Sequence, residues 1–239
     1  MPSLENMPIR RKIIDITVPL SPSTRVFPGD PVPFVEKVCT LEKEGCAVSR
    51  LSFGSHTGTH VDAPSHVLQN GLAVDKLELE GLVGEALVLD LSSVKGALKE
   101  EILKAEFEKA AVFGCAKVLL LKTKGRLFRG EKGLKAAGPR DGMPEAEEGF
   151  EDSAYLDESG AALIVKKGFR TVGIDNFSVD SLASEPLPAH RTLLSNRINI
   201  VECLDLSSVE AGIYFFICLP LKIEGCDGAP ARAVLISYL

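Results

Sequence analysis

The sequence predicts an α/β protein built on strand-rich mixed sheets with few helices. Three observations lead there. Short apolar runs of strand character recur from Ile14 to Tyr238, and only two segments carry a clear helical signal. The regular βαβ alternation of a doubly wound nucleotide domain or an eight-fold barrel is missing.

Taken in order, Ile14 to Leu20 reads as an opening strand that runs into a Pro- and Gly-rich loop, with turn chemistry at Phe27-Pro-Gly-Asp30. Residues 32–54 alternate as a strand pair joined by a turn at Glu42 to Gly45. Gly84 to Leu91 is apolar enough to be a strand covered on both faces, and Lys117 to Lys122 is the next strand. Glu100 to Ala111 has the 3.6-residue rhythm of a surface helix. Residues 124–149, charged and rich in glycine, read as a long excursion. Ser159 to Lys167 is a helix closed by Gly168. Thr171 to Asp175 is a short strand, followed by a loop through Pro186 and Pro188 to His190. Strands at Ile198 to Leu204, Gly212 to Leu219 and Ala231 to Tyr238 complete the chain.

Composition narrows the function. With 239 residues, 45% of them hydrophobic and no linker-like stretch, residues 1–239 are expected to form one domain. The formal charge of -6, with basic residues dispersed, disfavours nucleic acid as a partner. No apolar run approaches the ~20 residues of a membrane span, and no signal-peptide core is evident. The six cysteines form no CxxC pair and mostly sit in apolar runs, which reads as buried free thiols and a cytoplasmic setting.

Three of the four histidines fall within His56-Thr-Gly-Thr-His60-Val-Asp62-Ala-Pro-Ser-His66. On an extended segment His60 and Asp62 point to the same side, His56 has the same parity, and Gly58 permits a turn between them. Imidazole nitrogens and a carboxylate are ligands for Zn²⁺ or Mn²⁺. Pro64 breaks any regular ladder and aims His66 separately, where it is placed to move a proton. Two more residues are candidates. Glu202 sits in an apolar strand, where an ionised carboxylate needs a partner or a metal, and His190 stands shortly before it. Both are read either as ligands or as a surface histidine and an edge-strand glutamate facing water.

The HxGTHxDxPxH pattern, met at every fixed position by residues 56–66, resembles the cyclase family of metal-dependent hydrolases, which includes bacterial kynurenine formamidases (arylformamidases) and isatin hydrolases. The likeness extends to Phe27-Pro-Gly-Asp30, to Gly173-Ile-Asp-Asn-Phe-Ser-Val-Asp180, and to Leu219 through Gly228. Val67 stands where the family often has Phe, and the chain has no Trp, which reduces the aromatic lining of the expected pocket. The resemblance implies a swivelling β/β/α fold and assembly as a homodimer or homotetramer. It implies that His56, His60, Asp62, His190 and Glu202 are metal ligands for one or two Zn²⁺ ions, with Mn²⁺ as the alternative, and that His66 is the catalytic acid/base. The implied reaction is hydrolysis of N-formyl-L-kynurenine to L-kynurenine and formate. The alternatives are opening of a small cyclic amide such as isatin, or of a lactone, and a metal-binding module without catalysis. Absence of GxGxxG argues against a dehydrogenase.

Overall fold

The computed structural model describes residues 11–27, 29–110, 116–125, 154–181 and 186–238. All but the first two residues of the expected 124–149 excursion lie outside the described residues. The elements are β1 (Arg11–Asp15), β2 (Phe34–Cys39), α1 (Leu41–Glu44), β3 (Val48–Ser52), β4 (His60–Asp62), β5 (Val83–Asp90), β6 (Ala97–Leu98), α2 (Glu100–Lys109), β7 (Val118–Lys122), β8 (Tyr155–Leu156), α3 (Glu158–Lys167), β9 (Thr171–Ile174), α4 (Pro188–Ser195), β10 (Asn199–Glu202), β11 (Gly212–Pro220) and β12 (Gly228–Tyr238).

Eight strands form one sheet in the order β1-β12-β11-β5-β7-β9-β10-β4, and a further β12–β4 pairing closes it into a barrel. β5, β7, β9 and β10 run parallel, while β11, β12, β1 and β4 join antiparallel. Closure works because β12 is long. Gly228 to Pro230 pair with β4, and Val234 to Tyr238 pair with β1 along the same strand.

Strand periodicity divides the apolar residues between two cores. Ala86, Val88, Val118, Leu120 and Val201 point into the barrel with Phe216 and Leu235. Their neighbours Leu87, Leu89, Leu119, Leu121 and Ile200 point outward, where Leu103, Phe107, Leu163, Ile164, Leu193 and Leu194 of the helices cover them. At about 25 cal/mol per Å² of apolar surface removed from water, each such side chain contributes roughly 1.5–3 kcal/mol. Asp157 caps α3 by accepting from the Gly160 amide, and Gly168 ends the helix at φ 78°.

Four expectations are corrected. The first strand ends at Asp15; Ile16 is fully buried and Thr17 bridges to Leu204 instead. Glu42 to Gly45 is not a bare turn but the end of a one-turn helix, α1, with Gly45 at φ 74° closing it. The approach to His190 is not a loop, because Pro188 opens α4 and His190 lies in its first turn. Fewer thiols are buried than expected: among the described residues Cys203 and Cys218 are, Cys39 and Cys226 are half-buried and Cys46 is exposed, while Cys115 lies outside the described residues. Among the described residues no helix is long and apolar enough to cross a membrane.

Candidate metal centre

β4 carries the centre of the motif. Val61 faces the barrel core, so His60 and Asp62 face outward, towards the helices. The antiparallel register sets Glu202 opposite His60 and Ile200 opposite Asp62, which puts Glu202 on the same face as both. α4 covers this face and brings His190 onto it, so all four side chains are buried, at 1% (His60), 0% (Asp62), 2% (His190) and 4% (Glu202). Glu202 therefore lies on an inner strand between β9 and β4, not on an edge facing water, and His190 is not a surface residue.

Two glycines make the approach possible. Gly58 has φ 63°, and a side chain there would run into Leu20. Gly228, opposite Asp62 across β12, has no Cβ to collide with the His56 ring, which would lie 2.9 Å from it. Cys203, directly after Glu202, takes the left-handed conformation at φ 56° and turns the chain away from the sheet. Its carbonyl accepts the Thr59 hydroxyl at 2.6 Å, which ties the motif to β10.

The donor atoms converge on Asp62 and Glu202. Asp62 Oδ1 lies 2.8 Å from His56 Nδ1 and 3.2 Å from His60 Nε2, and Asp62 Oδ2 lies 3.3 Å from His190 Nε2. Glu202 Oε2 is 3.5 Å from His60 Nε2, and its Oε1 is 3.3 Å from His190 Nε2. Among the described residues three candidate triads result: His56/His60/Asp62 and Asp62/His190/Glu202, which share Asp62, and His56/His66/Asp227 at the rim. His60 Nδ1 donates to the Gly58 carbonyl at 2.7 Å, and His190 Nδ1 donates to Asp180 at 2.7 Å. Each bond leaves Nε2 aimed at the carboxylates, the nitrogen able to bind a metal once its proton is displaced, which is how metal-binding histidines are held.

Two atoms test the fit to a metal. His60 Nε2 and Asp62 Oδ2 are buried with no partner in hydrogen-bonding geometry. An imidazole nitrogen and an anionic oxygen buried together without hydrogen bonds are destabilising unless a cation, proton or metal, lies between them. The residues present fit a divalent ion.

Charge here is strongly perturbed. Burial opposes protonation of His60 and His190, but Asp62 and Glu202 outweigh it and hold both well above the usual histidine range. Burial alone would raise Asp62, yet the surrounding imidazoles keep it well below the carboxylate range. His66 behaves differently, since burial pushes its pKa down and favours the neutral imidazole. It lies at the rim with its ring centroid 4.1 Å from that of His56 and 5.6 Å from that of His190. Val67 is part of the helix-side core. The Cys218 thiol, pushed up to about 12 by burial, is no nucleophile.

Two acidic residues escaped the sequence reading as members of the site. Asp227 Oδ2 is 3.0 Å from His56 Nε2 and 3.7 Å from His66 Nδ1, and His56 draws its carboxyl down to about 2 against the effect of burial. Asp180 holds His190. Both lie in segments singled out by resemblance, but only the fold brings them to histidines 171 and 10 residues away.

Comparison with known proteins agrees with this geometry. The family model "Cyclase: Putative cyclase" matches residues 14–181. The chain belongs to the cyclase family. The kynurenine formamidase of Salinibacter ruber is 37% identical to this cyclase-family chain over 225 residues, covering 93% of it and 96% of the relative. A solved structure described as a predicted metal-dependent hydrolase from Bacillus stearothermophilus is 28% identical, with a TM-score of 0.69 over 95% of this chain and 98% of that one. Isatin hydrolase A from Labrenzia aggregata shares the fold, with a TM-score of 0.78 at 24% identity over 96% of this chain and 94% of its own. At family level the chain is a metal-dependent hydrolase, with His/Asp/Glu clusters suited to hold its ion.

Proposed function

We propose that this cyclase-family hydrolase cleaves an aryl formamide, N-formyl-L-kynurenine and water giving L-kynurenine and formate. In this reading His56, His60, Asp62, His190 and Glu202 hold one or two Zn²⁺ ions, with Mn²⁺ as the alternative, and His66 is the acid/base. The observation that carries the reading is that Asp62 and Glu202 each face histidines of both halves of the site. Two carboxylates so placed suit a pair of cations. The 34–37% identity over 93% of the chain to proteins named kynurenine formamidase supports the substrate.

A divalent ion at this site supplies Lewis acidity, polarising the substrate carbonyl and making water a nucleophile near neutral pH. The chain's own residues do the rest. His66, kept neutral by burial, accepts the proton of the attacking water and returns it to the departing nitrogen, since an amide anion is a very poor leaving group. Asp227 orients His56 through its hydrogen bond to Nε2 and lies 3.7 Å from His66 Nδ1. Burial of His60, Asp62, His190 and Glu202 excludes bulk water from the reacting carbonyl.

Metal-stripped protein reloaded with Zn²⁺ or Mn²⁺ should release L-kynurenine and formate in equal amounts. Failure to cleave any of a panel of formamides, lactams and cyclic imides refutes the hydrolase reading. The second reading, opening of a cyclic amide such as isatin, is favoured by Val67 and the lack of Trp. Faster turnover of isatin than of formylkynurenine selects it.

The partner we propose for the β2–β3 hairpin is a second copy of the chain. None of its strand residues is buried, and Phe34, Val35, Val48 and Leu51 are all exposed. Phe34 and Val35 point to opposite faces, so the arm is apolar on both. A lone two-stranded hairpin is marginal in water. Two arms exchanged about a two-fold axis bury both faces of each, which a single flat partner surface does not. The free thiols fit a cytoplasmic enzyme.

A further inference from the structure

Asp180 is a buried acid, 2% exposed, to which the hydrolytic reading gives no task. One oxygen accepts the Ala189 amide at 2.8 Å; the other accepts the His190 amide at 2.9 Å and His190 Nδ1 at 2.7 Å. Ala189 and His190 are the second and third residues of α4, whose amides an N-cap side chain normally satisfies. The residue at that cap is Leu187, held at φ 60° and with no side-chain acceptor. Asp180 therefore does the capping from the turn after β9, and its charge sits at the positive end of the helix.

The same turn also braces Glu202, whose Oε1 accepts the Val179 amide at 2.7 Å. His190 and Glu202 are thus oriented by one five-residue turn, 176–180, which is itself tied to β10 through the Cys203 amide and the Asn176 carbonyl. The other half of the site is held differently, because His60 leans on the neutral carbonyl of Gly58. A carboxylate acceptor makes an imidazole a stronger donor at its far nitrogen than a carbonyl does.

We propose that Asp180 is a positioning residue for one half of the metal site. It fixes His190 with Nδ1 protonated and Nε2 free, sets the ring's angle through the cap of α4, and strengthens His190 as a donor. The Asp62/His190/Glu202 position depends on it, and the His56/His60/Asp62 position does not. The inference rests on the ligand assignment proposed above.

The test is Zn²⁺ binding to stripped full-length protein by chelator competition, for the wild type, Asp180→Ala and Asp180→Asn, with nitrogen-resolved NMR of His190. Asp180→Ala should weaken one class of Zn²⁺ site roughly 10–100-fold and leave the other within about 3-fold. Asp180→Asn keeps an acceptor for Nδ1–H but lacks the charge, so it should fall between the two. Its His190 Nδ1–H resonance should move upfield from the wild-type position. Equal weakening of both classes marks a merely structural residue and overturns the proposal, as does unchanged binding in Asp180→Ala or zinc bound through His190 Nδ1. If Asp180→Ala does not fold, Asp180→Asn and the NMR signal decide. A wild type that binds no Zn²⁺ sinks the metal-site reading itself, which separates the two failures.

Discussion

Replacing Glu202 with Gln removes one negative charge from the centre of the site and little else. Gln has the same shape, and its amide oxygen still accepts the Val179 amide that now reaches Glu202 Oε1 at 2.7 Å. What changes is the balance between repulsion from Asp62 and attraction to the His60 and His190 imidazoles. The candidate ligand atoms of Asp62, His190 and Glu202 all lie within 4.8 Å of one another. Two unit charges at that separation repel by about 3.5 kcal/mol at an effective dielectric of about 20. Without a metal, burial and Asp62 both push the Glu202 carboxyl up, but the His190 and His60 imidazoles outweigh them and hold it below its ordinary range. The charge is therefore net favourable in the metal-free protein, and stripped Glu202→Gln should melt lower than stripped wild type, by ~2–4 °C for each kcal/mol lost. A cation in the site loses an attraction on the same ~3.5 kcal/mol scale, so Zn²⁺ affinity should fall ~10- to 300-fold. Calorimetric melting of stripped and reloaded protein measures both. A stripped variant that melts higher than stripped wild type, or one that binds Zn²⁺ equally well, refutes the account of a carboxylate held by imidazoles and aimed at a cation.

Three further outcomes follow. His66→Ala should lower kcat by ~10²–10⁴-fold while bound metal per chain, read by elemental analysis, stays unchanged; a fall in metal content makes His66 a ligand instead. Phe34→Asp with Leu51→Asp should turn a dimer into a monomer in light scattering after gel filtration, and a monomeric wild type at micromolar concentration removes the exchanged arm. Asp175 is buried, and desolvation raises its pKa despite hydrogen bonds from Thr123 and Gly125. The folded state holds that proton more tightly than the unfolded state, so its contribution to stability is fully present below pH 3.8 and is lost as pH rises through the folded pKa. Urea unfolding of Asp175→Asn should accordingly gain on the wild type as pH rises above 3.8, and a gap that shrinks instead contradicts the burial argument.

Much of this protein is local enough to be read along the chain. The apolar runs of β5 and β7, the rhythm of α2, and the Gly168 cap of α3 depend on neighbours a few residues away, and they stand where the sequence puts them. The same holds for the shared parity of His60 and Asp62, which the strand period alone determines. α4 escaped notice because its N-terminus has no capping residue of its own; the cap comes from Asp180. Asp227 was invisible as a partner for His56, because nothing in residues 219–228 says that β12 will close the barrel onto β4. The eleven-residue motif thus determined the chemistry, since donor type and spacing are covalent properties of the chain. Only the tertiary structure decided which carboxylates surround it, because strand register and barrel closure are settled by the packing of the two cores over the whole chain.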